Sequence, residues 1–398
     1  MKKIALTVER SRAYGRRFCE GVAEYAQTKG DWSLEFVPDV KGGVTHYDGF
    51  IFRVLDEDSA RRLRSLHKPV VDVFFRQNSG FGVADADNAA ISRLAVSHFL
   101  TRKFVNFGFC GYDGIRYSDA RRDEFVRELA KSGYPCSVYR TPHRILANFT
   151  RDVILNECVE EIPDEAELEK WLRGLTLPCA VFCCHDLRSY QLSKICRKIG
   201  LRVPEDVAIL GVDDDTLLCS FSTPMLSSID PDAFGIGYEA ARILDRMMTS
   251  STAAAHPPAS FLPPKGVVTR ASSEIYPVDP PWISKALVFI RKNVRDRLSA
   301  SDVFAHLGLS HAVVEKAFKA TLGTTVQREI MRSRLEAALH LLIATQEPVV
   351  RVASLAGFAS AQYFCRNFTS AYGMSPQQYR EKKCSKTSRK TSTAQTSD

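Results

Sequence analysis

The sequence predicts an α/β fold, a two-lobed arrangement of doubly wound parallel sheets, followed by an all-α domain with two helix-turn-helix units. Three observations point there. Through residues 1–274, short β-branched or aromatic runs alternate with helical patterns, and repeated strand-then-helix means parallel sheets covered on both faces. From Trp282 onward the chain shows short amphipathic helices and no convincing strand. The charge divides at the same place. Residues 282–398 hold 18 Lys+Arg against 8 Asp+Glu, an excess of ten in a chain whose total is +8, so the front is nearly neutral. A basic back on a neutral front suggests that the back alone meets a polyanion.

Taken in order, "IALTV" reads as the first strand and is followed by Phe18, Val22, Tyr25 and Ala26 at helical spacing. The rhythm continues through "LEFV", "GFIFRVL", "PVVDVF", "FVNFGFC", "CAVFCC" and "DVAILGV", each followed by a stretch suited to a helix. About 270 residues is more than one sheet of modest size absorbs, so two lobes are expected, with a ligand crevice at the carboxyl ends of their strands. The proline-dense segment from "HPPASFLPP" to "VDPP" interrupts helix, although "GVVT" within it can add a last strand. The expected divisions are a front domain over 1–274, a linker over 275–281, a helical domain over 282–383 and a polar, disordered tail over 384–398.

Eleven cysteines are scattered without a paired metal spacing, and Cys179, Cys183 and Cys184 sit in an apolar run that reads as buried strand. That usage fits a reducing compartment. The first apolar stretch, five residues long, is too short for an export signal, and no stretch approaches the roughly 18 apolar residues of a membrane helix. A cytoplasmic protein without membrane contact is expected. No Gly-rich phosphate loop, nucleophile elbow or metal-ligand spacing is present, and Gly235-x-Gly237 lacks a third glycine. No enzyme activity, metal or cofactor is therefore expected. A carbohydrate-processing enzyme and a sugar receptor without DNA function are the rival readings.

In the helical domain, Phe364, Phe368, Ala371 and Tyr372 form a core stripe, and Ser360, Gln362, Tyr363, Arg366 and Asn367 lie on the other side. Before them "VVRVASLAGF" supplies a short helix ending at Gly357, which completes a helix-turn-helix pattern. About fifty residues upstream the pattern recurs, with Gly308 at the turn and Val314, Phe318 and Leu322 as the buried stripe. The second helix of each unit is the one that enters a major groove, and two of them address segments about 10 base pairs apart. Candidate DNA contacts are His311, Ala312, Glu315 and Lys316 in the first unit and Ser360, Gln362, Tyr363 and Arg366 in the second. Glu accepts from cytosine N4, Gln pairs with adenine, and Lys or Arg serve phosphate or guanine. A helix pair with a Gly turn also occurs in bundles that touch no DNA; two units and the charge excess favour double-stranded DNA.

The stretch "GFASAQYFCRNFTSAYGMSPQQYR" resembles the signature of the AraC family of transcription regulators through Gly357, Phe358, Tyr363, Phe364, Arg366, Phe368, Gly373, Pro376, Tyr379 and Arg380. It departs at Ala359, Ala361 and Thr369. The front resembles the effector domains of LacI-type repressors, which share the two-lobed fold of periplasmic sugar-binding proteins. The matching phrases are "YDGFIF", "ADNAAISRLAVSHFL", "RRDEFVREL", "CHDLRSYQLSKICRKIGLRVPEDVAILGVDDD" and "LSSIDPDAFGIGYEAARIL". The combined resemblance implies a homodimeric activator of sugar-utilisation genes, with a pentose, D-xylose, as effector and RNA polymerase as a further partner.

Sugar hydroxyls demand carboxylates and guanidinium groups that hydrogen-bond in pairs, with an aromatic face for the C–H side. Polar residues at expected strand ends or helix starts are Glu9, Arg10, Asp87, Arg121, Asp186 and Asp213, of which the last four match the LacI-like motifs. Tyr14 and Arg16 join them from the loop after the first strand. Each has a structural alternative: Asp87, Asp186 and Asp213 as helix N-caps, Arg121 on a solvated face, Tyr14 in a core. His185 stands where a LacI-like domain often has Asn. An aromatic platform is expected within 140–165, with Phe149 as candidate.

Overall fold

A computed structural model describes residues 1–38, 44–74, 80–142, 162–250, 252, 255–345 and 347–381. Phe149 and the tail lie outside them. Two compact units divide the chain, Met1–Glu274 and Ile275–Asp398.

The first unit contains two six-stranded sheets. One sheet is wholly parallel, in the order β11-β5-β4-β3-β1-β2: Ala259–Leu262, Gly82–Ala86, Val70–Asp72, Gly49–Phe52, Lys2–Thr7 and Trp32–Phe36. The other runs β12-β10-β9-β8-β6-β7: Gly266–Val268, Ser227–Asp230, Val207–Val212, Cys179–Cys183, Phe107–Cys110 and Cys136–Val138. Its members are parallel except β12, the strand foreseen in "GVVT", which pairs antiparallel with β10. The chain passes between lobes after β5, after β10 and between β11 and β12. Buried all-apolar strands such as Cys179–Cys183 and Val207–Val212 explain the continuous hydrophobic runs, because helices cover both faces.

Helices α1 (Ala13–Lys29) and α8 (Ala233–Thr249) pack so closely that backbone meets backbone: a Cβ on Gly21 or Gly237 would overlap the carbonyl of Phe234 or Phe18. The Gly-x-Gly of 235–237 is thus a helix-packing feature in α8. Further helices of this unit are α2 (Glu57–Ser65), α3 (Asn88–Thr101), α4 (Arg116–Lys131), α5 (Glu165–Arg173), α6 (Asp186–Lys198) and α7 (Thr216–Phe221).

The second unit is helical: α9 (Pro281–Asn293), α10 (Ala300–Leu307), α11 (His311–Leu322), α12 (Val326–Ala344), α13 (Val349–Leu355) and α14 (Ala361–Tyr372). Two cores share α12. Val326 and Ile330 pack with Leu287, Val303, Val314 and Phe318, whereas Leu335, Ala338 and Leu342 pack with Val352, Phe358, Phe364 and Phe368. One long helix thus supports two similar half-domains. Ala371 is exposed rather than part of the stripe, because Phe364, Phe368 and Tyr372 already fill that face.

Candidate ligand cavity and nucleic-acid interface

Between the two lobes of the first unit lies a cavity of about 120 Å³ lined by Glu9, Arg12, Tyr14, Arg53, Phe74, Asp85, Asn88, Arg116, Tyr117, Arg121, His185 and Asp213, among others. These residues come from segments distant in sequence. Glu9 and Arg12 belong to the turn into α1, Tyr14 to its first turn, Arg53 follows β3, and Asp85 is the penultimate residue of β5. The opposite lobe supplies Arg116, Tyr117 and Arg121 from α4, His185 from the end of β8, and Asp213 from the end of β9. All of them lie at or beyond the carboxyl ends of strands, where parallel sheets place their ligands.

The electrostatics of this cavity are those of closely opposed carboxylates and guanidiniums held away from bulk water. Burial pushes Asp85 up to about 7, against the opposing pull of Ala86 N–H, Arg121 and Arg53. Burial likewise pushes Asp213 up to about 7, opposed by Arg121, Arg12 and Arg53. Both are poised to exchange a proton near neutral pH and to accept hydroxyl hydrogen bonds when ionised. Arg121 is oriented from behind, its Nε donating to Asn88 Oδ1 at 2.8 Å and its Nη1 donating to the carbonyl of Cys184, so it faces the cavity with a fixed fork. Burial raises the phenols of Tyr14 and Tyr117 and keeps both neutral.

His185 supplies a directed donor. Its Nδ1 accepts from Arg188 N–H at 3.0 Å and caps α6, which places the ring proton on Nε2. That nitrogen is buried and has no partner among the described residues. Burial drives the ring well below its ordinary value, so it stays neutral. Aromatic faces come from Phe74 and Tyr117, 6.1 Å apart and edge-to-face, with the guanidiniums of Arg53 and Arg116 over Phe74 at 4.8 and 5.3 Å.

Of the sequence-predicted ligand residues, Glu9, Tyr14, Arg121 and Asp213 are brought together here. The others are placed elsewhere. Asp87 caps α3, accepting from Ala90 N–H at 2.8 Å, and Asp85, two residues earlier on the same strand face, lines the cavity in its place. Asp186 turns beneath β9, where it accepts from Asp215 N–H at 2.8 Å. The caps of α6 and α7 are His185 and Asp215 rather than Asp186 and Asp213. Exposed Arg10 lies over the ring of Phe36 at 4.3 Å, and exposed Arg16 donates to the carbonyls of Arg10 and Ser11. Sequence reasoning missed Arg12, Arg53, Asp85, Asn88, Arg116 and Tyr117. Strand alternation through "GVADAD" was the available signal for Asp85; nothing local marks Arg53.

In the second unit, the turns of both helix pairs are left-handed glycines, Gly308 at φ 63° and Gly357 at φ 81°. On α11, His311, Ala312 and Lys316 are exposed, whereas Glu315 is half-buried with one carboxylate oxygen shut off from solvent. On α14, Gln362 and Arg366 are exposed. Ser360 is the N-cap, accepting from Tyr363 N–H at 3.2 Å. Tyr363 is half-buried against Phe358, with Arg366 stacked over its ring at 5.6 Å. Arg380 is tied inward, donating to the carbonyls of Leu342 at 3.2 Å and Glu347 at 2.6 Å, so it locks the half-domain.

Comparison with known proteins agrees with this division. Residues 96–273 match the family of periplasmic binding protein-like domains, and residues 303–382 match a helix-turn-helix domain. The chain is a helix-turn-helix transcription regulator whose front unit is periplasmic-binding-protein-like. It is 25% identical over 397 residues to the xylose operon regulatory protein of Escherichia coli K12, covering 95% of this chain and 97% of that one. It is 26% identical over 393 residues to the xylose operon regulatory protein of Haemophilus influenzae, covering 95% and 98%. Among solved structures it is similar to the xylose-binding transcription activator xylR, with a TM-score of 0.58, 25% identity and coverage of 95% and 97%.

Proposed function

We propose that D-xylose, or a pentose closely related to it, is the effector of this sugar-responsive regulator, and that the chain activates pentose-utilisation genes from the cytoplasm as a homodimer. The observation that carries the sugar reading is the pairing of Asp85 and Asp213 with Arg12, Arg53 and Arg121 around one interlobe cavity. Alternating carboxylates and guanidiniums suit adjacent hydroxyls, which donate to the first and accept from the second. At roughly 10–15 Å³ for each water-sized group, the cavity takes about ten such groups, the scale of a pentose.

In this mechanism the sugar bridges the lobes: Asp85 and Arg53 hold it from one side, Asp213, Arg121 and His185 from the other, and Phe74 or Tyr117 covers a C–H face. Closure is favoured by the sugar's higher affinity for the closed arrangement, a difference commonly worth about 1–3 kcal/mol. The closed state alters the pairing of two front units and the spacing of their α11 and α14 helices on DNA. His311, Ala312, Lys316, Ser360, Gln362 and Arg366 face the groove, with Glu315 and Tyr363 supporting them. RNA polymerase is the partner that an activator recruits. Catalysis and cofactors have no part in this reading.

A mobility-shift experiment on promoter DNA, with and without D-xylose, tests it. Binding that changes with D-xylose and not with a hexose is expected. Absence of DNA binding at every sugar concentration rejects the regulator, and binding indifferent to all pentoses rejects the effector.

A further inference from the structure

The turn after β9 carries three consecutive aspartates, and each faces a different partner. Asp213 lines the cavity. Asp214 accepts from Arg270 Nη2 at 2.7 Å and lies 4.0 Å from Nη2 of Arg17, which belongs to α1 in the opposite lobe. Asp215 spans the lobes as well, its Oδ2 accepting from Ala13 N–H at 3.1 Å while its Oδ1 caps α7.

The turn is held in a conformation that its residues do not choose by themselves. Asp213 and Asp214 have φ of 112° and 46°, in the region that favours glycine. Such backbone persists where its surroundings over-determine it, and here all three amides are bound. Asp213 N–H donates to Ile229 O at 3.0 Å, Asp214 N–H to Ser228 Oγ at 3.0 Å, and Asp215 N–H to Asp186 Oδ2 at 2.8 Å.

Arg270 stands at the other end of this linkage, within the last residues of the front unit. Besides Asp214 it grips Leu226 O through Nη1 at 3.0 Å, and its backbone N–H donates to Ser227 Oγ at 2.8 Å. The next residues are fastened too: Ser272 N–H donates to Met225 O at 2.9 Å, Ser272 Oγ to Ile209 O at 2.7 Å, and Ser273 Oγ to Ser227 Oγ at 2.7 Å. Both serines are buried. One residue after Glu274 the chain enters the helical unit. The path from a cavity carboxylate to the exit of the effector unit is therefore one peptide bond and one ion pair long.

We propose that the Asp213–Asp215 turn couples sugar occupancy to the segment leading into the DNA-binding unit, with Arg270 as its positioning residue. This rests on the regulator reading given above. Sugar on Asp213 and lobe closure on Arg17 and Asp215 both bias one bistable turn, and the Asp214–Arg270 pair passes its state to residues 270–274. Coupling needs an element whose equilibrium both sites bias, and this turn has the contacts for it.

The test uses the full chain and the variants Arg270→Met, Arg270→Lys and Asp214→Asn. DNA affinity is measured by fluorescence anisotropy with and without saturating D-xylose, and sugar affinity by calorimetry. A wild-type response of roughly 5- to 150-fold should shrink to within about twofold in Arg270→Met and Asp214→Asn, while sugar-free DNA affinity stays unchanged. Arg270→Lys, which keeps one charge-assisted bond to Asp214, should restore a large part of the response. Full response in Arg270→Met overturns the proposal, since a residue that only stabilises the fold would lower thermal stability and leave that ratio alone. A second arm needs no sugar. Hydrogen exchange of the amides of 213–215 should quicken by about tenfold or more in Arg270→Met. Unaltered protection there overturns the coupling turn even if D-xylose proves to be the wrong effector, whereas a silent wild-type response with quickened exchange rejects the effector alone.

Discussion

The second helices of the two helix-turn-helix units and the interlobe cavity follow opposite rules of address. On α11 and α14 a residue's exposure is set by its neighbours three and four positions away, so His311, Lys316, Gln362 and Arg366 are displayed as helical spacing dictates. In the cavity, Arg53 and Asp213 meet because β3 and β9 end at one crevice from two different sheets, 160 residues apart. Local periodicity says nothing about that encounter. The difference teaches that a recognition helix is specified piecewise, whereas a ligand site is specified by topology, and the two should respond to substitution in different ways.

The largest expected effect strikes the helical unit through its fold. At Gly357 a Cβ would overlap the carbonyl of Val294 and φ is 81°, whereas at Gly308 a Cβ meets nothing within 4 Å and φ is 63°. Gly308→Ala thus suffers the left-handed backbone alone, about 1–2 kcal/mol, and Gly357→Ala adds a steric conflict for a total above about 3 kcal/mol. Denaturant titration of the two variants, read on the helical unit, should separate them. DNA binding is lost in Gly357→Ala while calorimetry still shows sugar binding. Equal stability of the two would break the asymmetry between the turns.

Next comes the cavity. Asp213→Ala removes a carboxylate that accepts hydroxyl hydrogen bonds, a loss of about 1.5–3 kcal/mol or roughly 10- to 150-fold in sugar affinity. Sugar-free DNA binding should be retained. The effect of Arg366→Ala is the reverse and smaller, a several-fold weakening of DNA affinity with the slope of log K against log salt reduced by roughly 0.9, as for one phosphate contact. If either variant moved both affinities equally while folded, the separation of the two sites would be wrong.

A pH titration sharpens the comparison, because the cavity carries two buried carboxyls shifted toward neutrality. Asp85 and Asp213 stand at about 7 against an ordinary 3.8. The empty front unit therefore gains stability from holding those protons below about pH 4 and loses it as pH rises through 7. Sugar affinity runs the other way, rising as pH climbs through 7, if the ionised forms accept the hydroxyls. Calorimetry near pH 7 in buffers of different ionisation enthalpy should register proton release on sugar binding, and Asp213→Asn should reduce it.

The two-lobed fold and the paired helix-turn-helix units were legible in the sequence because strand-helix alternation and the Gly-Phe…Tyr-Phe pattern are local signals. The cavity was half legible. Glu9, Tyr14, Arg121 and Asp213 follow from strand ends, but the choice between Asp85 and Asp87 depends on where β5 stops and α3 begins, a boundary that caps blur. Arg12 and Arg53 were hidden among many arginines that differ in tertiary placement rather than in sequence context. Glu315 and Tyr363 mark the converse limit on the helices, where side-chain length and a neighbouring ring fold back a residue that spacing alone turns outward.

The smallest expected effect belongs to Arg16, and its smallness is informative. Its side chain is exposed and donates to the carbonyls of Arg10 and Ser11, two residues of the same turn, so it neither reaches the cavity nor pairs a buried charge. Exposed substitutions of that kind fall within about 0.5 kcal/mol. Arg16→Ala should leave sugar affinity within about twofold of wild type, whereas Arg12→Ala, four residues earlier and lining the cavity, should weaken it well beyond that. The two arginines share chemistry and neighbourhood and differ in that Arg12, the extended N-cap of α1, lines the cavity whereas Arg16, inside the helix, does not. A loss in Arg16→Ala as large as that in Arg12→Ala would mean that the whole turn, rather than the groups facing the cavity, determines sugar binding.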